Sequence, residues 1–262
     1  MVVSSIGVEA SSAPDAAPET PEEHGRSLRT AAMITAGVGA AHALLFLLAW
    51  WLLWDVPGPD AADPEIVDYY TSTSSRRFLL VGLYLMPFAG IAFVWFIVAL
   101  RMWEEGSSHR RSVLQSNLQL ISGIVYVALF FVGAAASSVV AASVHFSDGE
   151  VDPDIARQFP VYGTTVIFVF AFRMAAMFVF TTSAILLRAG ILPRWFTWGG
   201  YAVATFLLLS ASFERWFVLV FPIWLLVLSV LLLRIARQID PEVRLPPVRH
   251  GPLLVRQTSI ER

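Results

Sequence analysis

The chain has 262 residues, 56% of them hydrophobic and 15% charged, with a mean hydropathy of +0.66 and a formal net charge of −2. Soluble domains carry about 45–50% apolar and about 25% charged residues, so both departures point toward a bilayer. Cysteine is absent, which excludes a disulfide framework, a thiolate metal site and a cysteine nucleophile, and the near-neutral balance leaves no basic footprint for nucleic acid.

Residues 1–30 are rich in Ala, Ser, Pro and Glu. They hold too little apolar surface to offset the entropy of ordering, and read as a disordered cytoplasmic tail. A secretory signal is not expected, because the acidic, Pro-containing stretch precedes an apolar run too long for an h-region. Six runs follow, each near the ~20 residues that cross a hydrocarbon core. The first is Ala31–Trp54, with Gly37, Gly39, Ala40 and Ala41 clustered in it and His42 midway along. Phe78–Leu100 is interrupted by Pro87, and Leu118–Val144 fills its second half with Gly133–Ala136, Ser137, Ser138 and Ala141–Ser143. Small residues let helices approach closely in lipid, which makes this third run a candidate central helix. Val161–Leu187 carries Arg173, Trp195–Ser212 is followed by a short turn with Glu214, and Trp216–Leu233 contains Pro222. Residues 235–262 form an Arg- and Pro-containing cytoplasmic tail. The runs are too continuous for barrel strands. The expected fold is therefore all-α: a six-transmembrane-helix bundle over residues 31–234.

Loop charge sets the expected orientation. All 18 basic residues are arginine. Arg26 and Arg29, Arg101, Arg110 and Arg111, Arg188 and Arg194, and the C-tail arginines from Arg234 onward share one side. The other side has Arg76, Arg77, Arg157 and Arg215 among many carboxylates, including Asp55, Asp63, Asp152 and Asp154. The positive-inside rule then puts both termini in the cytoplasm. Trp50, Trp51, Trp54, Trp103, Trp195, Trp198 and Trp216 sit at run ends, as an interfacial belt requires.

Arg173 is the least expected residue. A mid-bilayer arginine costs about 2.5–3.5 kcal/mol on insertion scales and normally faces the bundle interior. No Asp or Glu lies within the six runs. Its partner must come from a bundle end, a bound anion or backbone carbonyls. Helical side chains lean toward the helix N-terminus, which here means outward. Carbonyls freed by Pro87 (Leu83) and Pro222 (Val218), the Ser137–Ser138 segment, Glu214, and Tyr162 three turns above on the same face suggest an outer polar pocket around Arg173. The alternative is a purely structural clip. His42 shares a small face with Thr35, Val38 and Gly39 and is expected to be a neutral ring bonded to Ser, Thr or a carbonyl. No second ligand at helical spacing suggests a metal site. The Asp148–Asp154 acidic loop lacks the closing Glu of a calcium loop. No phosphate loop, nucleophile elbow, zincin motif or dinucleotide fingerprint occurs.

Three stretches carry a resemblance: Ile66–Tyr70 followed by Arg76-Arg77, Ala171–Ala176, and above all Gly190-Ile191-Leu192-Pro193-Arg194-Trp195-Phe196-Thr197-Trp198-Gly199-Gly200, with Phe221–Trp224 before Arg234. Together they resemble an uncharacterised family of small six-span integral membrane proteins common in actinobacteria. The resemblance implies six spans in a bacterial cytoplasmic membrane and adds no activity. The expected role is a non-enzymatic accessory or sensor protein without a cofactor. Its partners would be the lipid bilayer, anionic lipid at the C-tail and another membrane protein. The alternatives are a small transporter or channel with an anion- or carboxylate-binding pocket of Arg173, Glu214, Tyr162 and His42, and an intramembrane enzyme using His42.

Overall fold

The computed structural model describes residues 21–72, 74–107, 112–147, 150–209 and 216–238. These are helical almost throughout: α1 (Pro21–Leu52), α2 (Asp63–Thr71), α3 (Ser75–Leu80), α4 (Met86–Ser107), α5 (Val113–Ser147), α6 (Pro153–Thr165), α7 (Phe172–Ala189), α8 (Arg194–Leu209) and α9 (Val220–Gln238). A π-helical turn, Val81–Leu85, joins α3 to α4, and another, Val166–Ala171, joins α6 to α7. Each joined pair is therefore one long rod with a bulge in it. Among the described residues, five helical rods are long and apolar enough to cross a membrane: Gly25–Leu52, Ser75–Glu105, Val113–Ser147, Pro153–Ala189 and Phe217–Gln238.

The expected fifth run differs. It forms α8, 16 residues long, which at 1.5 Å per residue rises about 24 Å against a hydrocarbon core of about 30 Å. Residues 210–212 of that run, and Glu214, lie outside the described residues. The N-terminal tail differs too. Residues 21–30 are helical, because Pro21 at the start with Glu22 and Glu23 behind it is a helix N-terminus. The C-tail from residue 239 lies outside the described residues.

Packing follows the distribution of small residues. α1 lies against α4 and α9, while α5 packs on α3, α4, α6 and α7 and occupies the expected central place. Gly163 decides how closely α6 meets α5. A Cβ there would stand 2.5 Å from the Gly133 carbonyl oxygen and 2.0 Å from Ser137 Oγ, so only glycine permits the approach. One apolar core runs the length of the bundle, with Phe93, Phe96, Trp103, Tyr126, Phe130, Phe178 and Phe221 fully buried. A second, smaller cluster joins α2, α3, α5 and α6 at one end, around Ile66, Tyr70, Phe78 and Val140. By contrast Trp95, Phe88, Met102, Ile121 and Val132 are exposed, as lipid-facing side chains are.

A cavity at one end of the bundle and a sealed histidine beneath it

Near the C-terminal end of α1 the helices part around a cavity of about 350 Å³. Its walls come from seven segments, and the reason they diverge is legible locally. Both π-helical turns border it: Val81 and Gly82 lie in the first, with Met86 just after it, and Ile167 and Phe168 in the second. A π turn inserts one extra residue, opens a gap in the ladder and recurs at functional sites. Pro160, inside α6, and Pro87 each remove a ladder hydrogen bond in the same region. Gly82 keeps the wall thin, since a Cβ there would come within 2.3 Å of Ser138 Cβ. Phe46, Trp50 and Trp54 from α1 and its following turn form another wall. Trp50, Trp54 and Trp216 pack in a triad with ring centroids 4.9–5.5 Å apart.

The lining is apolar with a few hydroxyls. Ser137 Oγ donates to the Gly133 carbonyl (2.9 Å), Ser138 Oγ to that of Ala134 (2.9 Å) and Thr164 Oγ1 to that of Pro160 (2.8 Å). These hydroxyl hydrogens are therefore committed to their own helices, leaving lone pairs for the cavity. At the rim, Arg157 clamps α6 to the loop before α2. Its Nη2 donates to Asp63 Oδ1 (2.5 Å) and the Ala61 carbonyl (2.8 Å), and its Nη1 to Asp154 Oδ1 (3.3 Å). The acidic loop has a structural task as well: Asp152 caps α6, accepting from the backbone N–H of Asp154 (2.9 Å) and Ile155 (3.4 Å). On the short α2, Tyr69 and Tyr70 have phenols pushed up to about 12 by burial.

His42 lies one turn below Phe46 and is fully buried. Its Nδ1 is 2.8 Å from the Ala89 carbonyl, and its Nε2 is 3.3 Å from the Tyr126 hydroxyl. A carbonyl can only accept, so Nδ1 donates, and Nε2 is left to accept from Tyr126. Both ring nitrogens are thus used. Phe46, Phe93, Phe130 and Phe221 surround the ring at centroid distances of 4.8–6.3 Å. Of these rings Phe46 also lines the cavity.

Arg173 is half-buried, and its Nη1 donates to the Val169 carbonyl of its own helix. The guanidinium bends back toward the helix N-terminus, as Cβ geometry dictates, and uses a backbone carbonyl as its partner. It is not part of the cavity wall. Tyr162 is 58% exposed and touches Phe159. Straight-helix geometry puts Tyr162 above Arg173, but the intervening π turn rotates the two out of register by about one residue step. Among the described residues no hydrogen bond, ion pair or ring contact joins Arg173, Tyr162 and His42. Of the expected outer-half features, Ser137, Ser138 and Val218 do line the cavity.

Two features escape a reading of the sequence by runs. Trp103, placed in the interfacial belt by its position, is only 1% exposed, and Glu104 beside it is 3% exposed. Gln119 Nε2 bridges Glu104 Oε1 and Thr182 Oγ1, each at 3.0 Å. The signal was the helical stripe Phe93, Phe96, Ile97, Leu100, Trp103 and Glu104, which keeps its period past the end of the apolar run. The second is the cavity role of Trp50 and Trp54, which occupy belt positions and also line the cavity, Trp54 while staying exposed.

Among the described residues no group of three His, Asp or Glu side chains is placed to hold a metal ion. Comparison with known proteins finds no matching family model, no matching curated protein and no matching solved structure.

Proposed function

We propose that this multi-pass membrane protein is a non-catalytic sensor or accessory protein that works by holding a small apolar molecule in the cavity at the end of α1. One observation carries the reading: two rods that would otherwise pack straight both bulge, in π turns, against the same apolar chamber. Occupancy would be reported through those bulges, because a packed rod with an irregular turn has two ways to seat its neighbours. The aromatic layer around His42 favours holding over passage, since an open transport path would need a gap where Phe93, Tyr126, Phe130 and Phe221 are fully buried. With arginines concentrated at the opposite end, the proposed topology has six spans, the fifth containing α8, and both termini in the cytoplasm of a bacterial cell. The cavity would then open toward the outer leaflet.

The test is the composition of purified protein. Extraction and mass spectrometry should recover a stoichiometric apolar compound from the wild type. Ala134→Phe, which projects a ring into the cavity from its wall, should release it while leaving the helical content unchanged. Equal recovery from both proteins would refute the reading. Tags on the two termini, challenged with protease on intact cells, test the topology; loss of either tag would overturn it.

A further inference from the structure

The cavity's chemistry narrows the class of molecule it takes, on the premise that it binds one at all. Three observations act together. Tyr70 lines the cavity, is 4% exposed, and its hydroxyl has no hydrogen-bond partner among the described residues. With no such partner, the phenol can give its hydrogen to an acceptor held in the cavity. The hydroxyls of Ser137, Ser138 and Thr164 already donate within their helices and present only lone pairs. Arg157 is the cationic side chain in the wall, and it is held between Asp63 and Asp154, two carboxylates for one guanidinium. Nearby, Arg77 is committed to Asp55 at 3.7 Å. The cavity lining therefore carries no surplus positive charge, and a carboxylate or phosphate entering it would meet a guanidinium already shared by two carboxylates.

We infer that the cavity selects a long-chain molecule with an uncharged, oxygen-bearing head, such as an ester, an alcohol or a ketone, whose oxygen accepts the Tyr70 hydroxyl. It discriminates against the corresponding anion. The phenol keeps its proton up to about pH 12, so the donor persists at any ordinary pH. The apolar chain lies along Phe46, Trp50, Phe78 and Ile167.

The test compares methyl laurate with laurate, the same chain with a neutral or an anionic head. The full-length protein is placed in phosphatidylcholine nanodiscs at pH 9, where the acid is ionised, and its Tm is followed against probe concentration. Methyl laurate should raise the Tm at concentrations at least tenfold below those at which laurate does. Tyr70→Phe, which keeps the ring and its contact with Phe78, should need roughly tenfold more methyl laurate, the cost of one buried hydrogen bond. Laurate acting as well as its ester, or Tyr70→Phe responding like the wild type, would overturn the inference and leave the cavity reading standing. If neither probe shifts the Tm of the wild type any more than that of Ala134→Phe, the cavity reading fails with it.

Discussion

Replacing Gly163 by alanine should loosen the bundle exactly where the cavity is walled, and the same substitution at Gly37 should not. At Gly163 the new methyl would sit 2.0 Å from Ser137 Oγ, 2.5 Å from the Gly133 carbonyl oxygen and 2.8 Å from the Ser137 backbone nitrogen. The serine oxygen can rotate away; the two backbone atoms cannot. Restoring ordinary contact, which begins near 3.4 Å, requires α6 to retreat from α5 by about 1 Å. Overpacking of this kind costs about 1–3 kcal/mol, which for a chain of this size is roughly 2–12 °C in Tm. At Gly37 no atom lies within 4 Å of the added methyl, and alanine's helix propensity should leave stability equal or higher by up to about 1 kcal/mol. The measurement is thermal unfolding of both variants in one detergent or nanodisc. Adding Ser137→Ala to Gly163→Ala should recover less than half the loss, since the backbone clash stays. A Gly163→Ala protein as stable as Gly37→Ala would show that α5 and α6 do not touch as described, and the cavity wall built on that contact would go too.

Other outcomes follow from the polar contacts. Tyr126→Phe takes the donor from His42 Nε2 and should lower stability by about 1 kcal/mol in denaturant or thermal unfolding, without loss of helix content. Gln119→Leu removes the amide shared by Glu104 and Thr182 and should cost about 1–3 kcal/mol, whereas Gln115→Leu, whose Oε1 accepts from Arg188 at an exposed site, should be near neutral in the same assay. Arg157→Ala should raise hydrogen exchange of α2 and the loop before it while α4 and α9 stay protected; unchanged exchange there would show that the clamp holds nothing. Because burial raises the Tyr69 and Tyr70 phenols to about 12, the folded state holds their protons more tightly than the unfolded chain does. Their contribution to stability is complete below about pH 10, near an ordinary phenol's pKa, and fades as pH climbs toward 12. An ultraviolet titration should show a late tyrosinate phase near that pH that the double Tyr69→Phe, Tyr70→Phe variant lacks.

The apolar runs determined most of the architecture on their own. A stretch of about 20 residues without charge has few stable places except across a bilayer, and its backbone has few choices there except helix. The small residues of α5 forecast its central position for an equally local reason, since close approach needs missing side chains. Direction was legible as well: Arg173 bends toward its own helix N-terminus because every helical Cβ does.

Register and partnership were not legible. The Val166–Ala171 π turn changes which residues share a face, and nothing in that stretch of Val, Ile, Phe and Ala announces it. Periodicity alone puts Tyr162 and Arg173 on one face, and a π turn between them shifts that register by about one residue step. The buried Glu104 accepts from Gln119 on a second helix, whose amide also reaches Thr182 on a third. The cavity depends on seven segments failing to close, and no segment encodes the gap. Hydrophobicity is a property of each side chain, so it survives reading one residue at a time; a void, a bridge or a rotated face is a relation between helices, decided only when they pack.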